Sequence, residues 1–257
     1  MKLIDTHCHL NFKEHFPNVA STLQSAKQNN VVACIVVGCD TETSRYAIEL
    51  AEKYEEIYAC IGWHPNYSAN YTTHELQKIN ELSRHPKCVA IGEVGLDYHW
   101  KYATPEQQKT CTLEHIQLAI EKKLPVVFHC REAYDDLLDF LEDLVTQPKS
   151  MILHCFSGNI EHAKQAVSMG CYFGIDGPIT YRNAENLRQI ARILPKDRLL
   201  IETDSPYLTP HPYRGQQNSP SMIPLINSEL AKTLDIGEQE CADITTENAM
   251  RVFSINI

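Results

Sequence analysis

No run in the chain approaches the ~18 consecutive apolar residues that a membrane-spanning helix requires, so the sequence offers no transmembrane candidate. Positive charge is scarce: 23 Lys and Arg stand against 33 Asp and Glu, a formal net charge of −10 over 257 residues. A broad basic surface, the usual footprint of charge-driven duplex binding, is therefore not expected. A local cationic or metal-lined cleft that grips a few phosphates remains compatible with this balance. Among ten cysteines there is no C-x-x-C pair, which removes support for a zinc ribbon or a dithiol redox site. Cys8, Cys130 and Cys155 each follow a histidine within an apolar run, and buried unpaired thiols suit a reducing compartment. "MKLIDTHCHL" lacks the apolar core and cleavage site of a secretory signal, so a cytoplasmic location is expected. Proline and glycine are scattered rather than gathered into a linker, and one domain over residues 1–257 is expected.

What the chain does have is a regular series of short apolar or β-branched runs bounded by turn residues. Eight occur: "LIDTHC" from Leu3, "VVACIVVG" from Val31, "IYACIG" from Ile57, "CVAIGEVG" from Cys88, "PVVFHC" from Pro125, "MILHCF" from Met151, "CYFGID" from Cys171 and "RLLIET" from Arg198. Their centres lie about 28 residues apart, close to the ~30 of a strand-helix-strand unit. Helical segments fall between them. "TETSRYAIELAEKY" opens with a Thr/Glu capping pattern, and "TPEQQKTCTLEHIQLAIEKK" has Thr104 as N-cap with Pro105 in the first helical position. "NIEHAKQAVSMG" stops at Gly170, and "PSMIPLINSELAKTL" and "EQECADITTENAMRVF" read as two final helices. Near-continuous apolar strands alternating with helices imply an α/β protein whose parallel sheet is covered on both faces. A closed (β/α)8 TIM barrel satisfies the count without leaving edges. A doubly wound open sheet is the alternative, but the first strand is not followed by a glycine-rich phosphate loop.

A barrel of this kind places its chemistry at the C-terminal ends of the strands. Strand one ends in His7 and His9, and strand three runs into His64 within "GWHPN". Strand four contributes Glu93, strand five ends in His129 with Arg131 beyond it, and strand six ends in His154. Strand eight ends in Glu202 and Asp204. His15, His74, His85 and His115 fall in loops or helices, where surface positions are expected. One histidine at a strand end is ordinarily a satisfied core residue. Histidines at three strand ends with acids at two more would crowd one end of one barrel, which points to metal. His7, His9, His129, His154, Glu93 and Asp204 form a mixed nitrogen and oxygen donor set, too large for one tetrahedral ion but suited to two that share a carboxylate. Strands one and eight are neighbours once the barrel closes, so His7, His9 and Asp204 belong together; His129 and His154 are neighbours on strands five and six. Glu93 can bridge the two groups. Two ions bridged in this way acidify a shared water, and Asp204 could take the attacking water's proton. On a strand, Asp5 would share a face with His7 and His9; it either holds a ligand histidine by its other ring nitrogen or caps the strand end.

These residues, in this order, resemble the TatD family of metal-dependent deoxyribonucleases within the amidohydrolase superfamily. The likeness rests on "DTHCHL", "GWHPN", "IGEVGLDYHW", "LPVVFHCREA", "HCFSG", "IETDSPYLTP", "YRGQQNSP" and "TTENAMRVF", spread along the whole chain. It implies a (β/α)8 barrel with two divalent cations per subunit, usually Mg²⁺, although histidine-rich ligation also suits Zn²⁺ or Mn²⁺. It implies His7, His9, Glu93, His129, His154 and Asp204 as ligands, and hydrolysis that in family members often trims DNA from the 3′ end. Two departures bear on the site. The family often has a second histidine where this chain has Asn66, and Glu93 stands where other amidohydrolases carry a carbamylated lysine.

His64, Arg131 and Arg214 are the candidate phosphate contacts, since an arginine fork matches phosphate oxygens; a surface salt bridge is the alternative for Arg214. Tyr98 and Trp100 could stack on a terminal base or pack the loop. The expected function is divalent-metal-dependent hydrolysis at single-stranded DNA or 3′ ends. A small phosphate ester, or an ester, lactone or amide, is the alternative substrate on the same centre. A non-catalytic metal-binding scaffold is the third reading. Neither a membrane association nor an obligate protein partner is expected.

Overall fold

The computed structural model describes residues 1–257. Each of the eight apolar runs forms a strand: β1 (Leu3–Cys8), β2 (Val31–Val37), β3 (Ile57–Ile61), β4 (Cys88–Asp97), β5 (Val126–Arg131), β6 (Met151–Leu153), β7 (Tyr172–Ile175) and β8 (Leu199–Ile201). They lie in chain order in a single parallel sheet. Helices α1 (Val19–Gln28), α2 (Thr41–Lys53), α3 (Thr73–Leu82), α4 (Pro105–Lys122), α5 (Tyr134–Glu142), α6 (Ile160–Ser168) and α7 (Glu185–Ile193) return the chain between strands, and α8 (Ile223–Leu234) and α9 (Glu238–Phe253) follow β8. This is the (β/α)8 barrel, and the open doubly wound alternative is set aside. Its seam between β1 and β8 is thin. A single bridge pairs Cys8 with Ser205, supported by backbone bonds from His9 to Ser205 and from Asp204 to His7.

The helix ends follow the local chemistry. Thr104 accepts the Gln107 amide while the Gln107 side chain accepts the Thr104 N–H, and Pro105 occupies the first turn. In α2 the cap lies one residue earlier than the Thr/Glu pattern implies: Asp40 accepts from Thr43, whose hydroxyl in turn accepts the Asp40 N–H. A carboxylate satisfies the exposed amides and also complements the positive helix end.

Two apolar layers result from strand alternation. The larger, 53 buried residues, lies between strands and helices. The smaller fills the barrel interior with Ile4, Ala33, Ile35, Ile152 and Leu200, closed at its N-terminal end by Val252, Phe253 and Ile255. No helix is long and apolar enough to cross a membrane.

Two strands break register where the polar residues begin. The pairing of β1 with β2 shifts between Asp5 and Cys8, and that of β4 with β5 shifts between Ile91 and Val94. Such irregularities re-aim side chains at barrel rims. Gly92, at φ 146°, lies within the second shift, and a side chain there would strike the Val127 carbonyl.

Candidate metal centre

The six proposed ligands converge at the C-terminal end of the barrel interior, with Glu93 in the middle. Its Oε1 lies 2.7 Å from His154 Nε2, 2.8 Å from His129 Nδ1 and 3.6 Å from His64 Nε2. Its Oε2 faces the other group, 3.4 Å from His7 Nε2 and 4.0 Å from His9 Nε2. Asp204 Oδ1 completes that group at 3.3 Å from His9 and 3.7 Å from His7. Two donor clusters thus share one carboxylate: His7, His9 and Asp204 on one side, and His64, Glu93 and His129 on the other, with His7 and His154 closing around Glu93 between them.

The surroundings fit a cation. Both ring nitrogens of His7 are buried without a hydrogen-bond partner, an arrangement that is costly unless something else engages them. Two other imidazoles have an oxygen on the ring nitrogen that points away from the cluster, as metal-ligating histidines commonly do. For His9 it is the Val37 carbonyl at 3.0 Å and for His129 it is Asp97 Oδ2 at 3.0 Å, whereas His154 Nδ1 has no hydrogen-bond partner and Glu202 Oε1 stands 3.6 Å from it. A donor set of imidazole nitrogens and carboxylate oxygens suits Zn²⁺ or Mn²⁺, and the carboxylates suit Mg²⁺.

Electrostatics within the cluster are strongly coupled. Burial pushes Glu93 up, but His154, His64, His7 and the His129 hydrogen bond outweigh it and hold the carboxyl well below its usual range. Burial likewise opposes ionisation of Asp204, and the bond from His9 together with the charges of His154 and His7 brings it below the ordinary value. Burial lowers His64 to about 3, helped by His129 and His154 and resisted by Glu93. Asp97 is disfavoured as an anion by burial yet ends at about 2, chiefly through its bond to His129. His129 itself is raised: burial works against its charge, and the bonds to Asp97 and Glu93 prevail.

Several positions differ from the sequence-based expectation. Of the two readings of Asp5, the histidine-holding one is not met, because its carboxylate bonds backbone amides and a hydroxyl and reaches no histidine ring. Its carboxylate accepts from the Thr203 hydroxyl at 2.6 Å, the Thr203 amide at 2.9 Å and the His7 amide at 3.3 Å. The register shift in β1 is the reason, since strict alternation fails between Asp5 and His7. Asp5 therefore ties β1 to the β8 end. Glu202 stands beside His154 and accepts from the Cys155 amide and the Thr6 hydroxyl; a side chain on Gly174 would strike it. His64 lies inside the cluster, not at its rim. The Asn66 amide donates to His64 Nδ1, so the ring proton sits on Nε2 and faces Glu93. His115 is fully buried on the inner face of α4, bonded to the Cys111 carbonyl and packed near Tyr71.

The outer candidates divide. Arg131 and Arg214 form no salt bridge; each guanidinium lies over an aromatic ring, Trp100 at 5.9 Å and Tyr181 at 4.1 Å. Tyr98 turns away: its hydroxyl donates to Asp136 at 2.7 Å and its ring packs on the core. Trp100 is exposed instead and stacks with Tyr102. Two residues at the site were not singled out from sequence. Asp97 holds His129 and accepts from Asn66, and its position four residues beyond Glu93 on the same strand was an available signal. Cys39 lies 3.9 Å from His9 Nδ1, with no spacing signal to mark it.

The family model described as TatD related DNase matches residues 4–254. The chain belongs to the TatD family. A Bacillus subtilis (strain 168) relative named metal-dependent hydrolase YabD is 42% identical over 254 residues, covering 99% of this chain and 100% of the relative. An Escherichia coli (strain K12) relative named 3'-5' ssDNA/RNA exonuclease TatD is 31% identical, covering 93% of this chain and 97% of its own length. Among solved structures, the TatD homolog YJJV from Escherichia coli K12 superposes with a TM-score of 0.94 at 31% identity, covering 99% of this chain and 98% of that one. As a TatD-family protein the chain is a metal-dependent hydrolase.

Proposed function

We propose that this protein is a two-metal phosphodiesterase that removes nucleotides from the 3′ ends of single-stranded DNA. The observation that carries the reading is the position of Glu93, with one oxygen toward His7 and His9 and the other toward His129 and His154. His7, His9 and Asp204 would hold one ion, His129 and His154 the other, and Glu93 both. Divalent ions held there polarise the phosphate and lower the pKa of water. The protein's own groups supply the rest. Asp204, kept as a carboxylate, accepts the proton of the attacking water. His64 presents its Nε2–H toward the same space and donates to a phosphate oxygen. Arg131 and Arg214, unpaired with any acid, bind further phosphate oxygens.

The mouth of the barrel favours a nucleic acid over a small ester. Every exposed aromatic side chain, Tyr67, Trp100, Tyr102, Tyr207 and Tyr213, lies on a loop that follows β3, β4 or β8. Base stacking on such rings is strong and tolerant of sequence, and it compensates for the net negative charge. The Escherichia coli relative named as a 3'-5' ssDNA/RNA exonuclease supports the same reading.

The test is a 5′-labelled single-stranded oligonucleotide incubated with metal-stripped protein and with each added divalent cation in turn. A ladder shortening from the 3′ end, dependent on metal and absent with His129→Ala, is the expected result. An intact oligonucleotide under every cation would end this reading and send the search to phosphate esters and lactones.

A further inference from the structure

A cavity of about 750 Å³ opens beside the metal centre, between the loops that follow β6 and β7. Its volume falls within the range of small-molecule sites. It starts at Cys155, next to His154, and at Asp176, the first residue beyond β7. Tyr181, Leu187 and Ile190 supply apolar walls, and the exposed amides of Asn183, Asn186 and Gln189 stand at its edge. No lysine or arginine lines it, and its charged residues are Glu161 and Asp176. A phosphate would be repelled there. The cavity is suited to a neutral group with apolar faces and polar edges.

Asp176 gives the cavity a specific demand. The residue is only 2% exposed, and its Oδ2 is buried without a hydrogen-bond partner. A buried carboxyl oxygen left in this state costs free energy, and Asp176 lines the cavity, where a ligand's donor can approach its carboxyl group. Tyr181 is already held in place, its hydroxyl donating to the Thr209 carbonyl and its ring covered by the Arg214 guanidinium. The phosphate-binding candidate and the cation-free cavity are therefore adjacent.

We infer that this cavity seats the terminal nucleobase, and that Asp176 favours bases with an exocyclic amino group, cytosine, adenine and guanine, over thymine and uracil. The amino group donates to the Asp176 carboxyl group, which lines the cavity, as carboxylates accept from cytosine N4 in base recognition. The apolar walls cover the base faces, the edge amides meet the remaining polar positions, and Arg214 lies where the attached phosphate emerges. The assignment rests on the proposed action at nucleic-acid ends, but the cavity can be tested without it.

The first measurement is binding of deoxycytidine and thymidine, which carry no phosphate, to the full-length protein by saturation-transfer NMR. Deoxycytidine should bind about five- to tenfold more tightly, the scale of one base-edge contact. Asp176→Asn should remove the difference, and Leu187→Trp, which narrows the cavity, should weaken both nucleosides. A cooperative thermal melt confirms that each variant is folded. The second measurement compares the rate of shortening of oligonucleotides ending in 3′ C and 3′ T. Equal binding of the two nucleosides, or a preference that survives Asp176→Asn, would overturn the inference. Selective nucleoside binding by a protein that shortens no oligonucleotide would sustain the cavity assignment and end the exonuclease reading. Shortening at equal rates without nucleoside binding would do the reverse.

Discussion

At the N-terminal end of the barrel, Ile4, Ala33, Val89, Ile152 and Leu200 pack against Val252, Phe253 and Ile255. A few residues further along the same strands, His7, Glu93, His129 and His154 face one another, with Asp204 beyond β8. The lower end is complete by itself, an apolar plug whose burial needs no ligand. The upper end is not. It gathers titratable groups out of water, leaves both nitrogens of His7 unpartnered and holds its carboxylates against a desolvation penalty. The contrast teaches that stability and chemistry are divided along the barrel axis, and that the plug supports a site that would not assemble alone.

That division can be broken by substitution at either end. Glu93→Gln should lower metal-dependent hydrolysis by about 1,000-fold or more, several kcal/mol of charge stabilisation, while circular dichroism still reports a folded barrel. Retention of more than about a tenth of the activity would mean that Glu93 does not join the two clusters. Phe253→Ala should do the opposite. Truncating a fully packed aromatic costs about 3–5 kcal/mol, read in a denaturant titration, with the specific activity of the folded fraction unchanged. A matching loss of specific activity would show that the two ends are coupled.

A third prediction concerns acid. His115, buried outside the metal centre, is lowered by burial to about 4, against an ordinary 6.5. Its neutral form is the one the fold accepts. The stability this contributes is complete above pH 6.5 and is lost as pH falls toward 4, about 3 kcal/mol in all. Denaturant titrations across this window should show the loss, and His115→Leu should flatten it. The smallest effect is expected at Asp97. Asp97→Asn should weaken metal affinity by about 10- to 100-fold through the orientation of His129, measured by competition with a chelating dye.

Most of the barrel was legible because its signals are local. Eight apolar runs at near-constant spacing, the Thr104–Gln107 cap and the stop at Gly170 involve residues close together in the chain. The convergence of the candidate donors was legible for a related reason. Strand ends meet at one end of any such barrel, so His7, His9, Glu93, His129, His154 and Asp204 could be grouped before their distances were known. The face of Asp5 was not legible, because a register shift in β1 interrupts the alternation on which the reading depended. His115 appeared to be a surface residue because polarity alone does not reveal that it sits on the buried face of α4, against Tyr71.

The sequence by itself determined which elements form, in what order, and which residue types are delivered to the mouth, since hydrophobic period and turn chemistry act over a few residues. Tertiary structure decided which atoms meet. That Asp5 binds Thr203 across 198 positions, that Asp97 holds the far nitrogen of His129, and that Asp176 closes a cavity without a cation follow only once the sheet has curled and β1 meets β8. The reason is geometric: hydrogen bonding and desolvation depend on ångström-scale placement, and that placement is set by closure of the barrel.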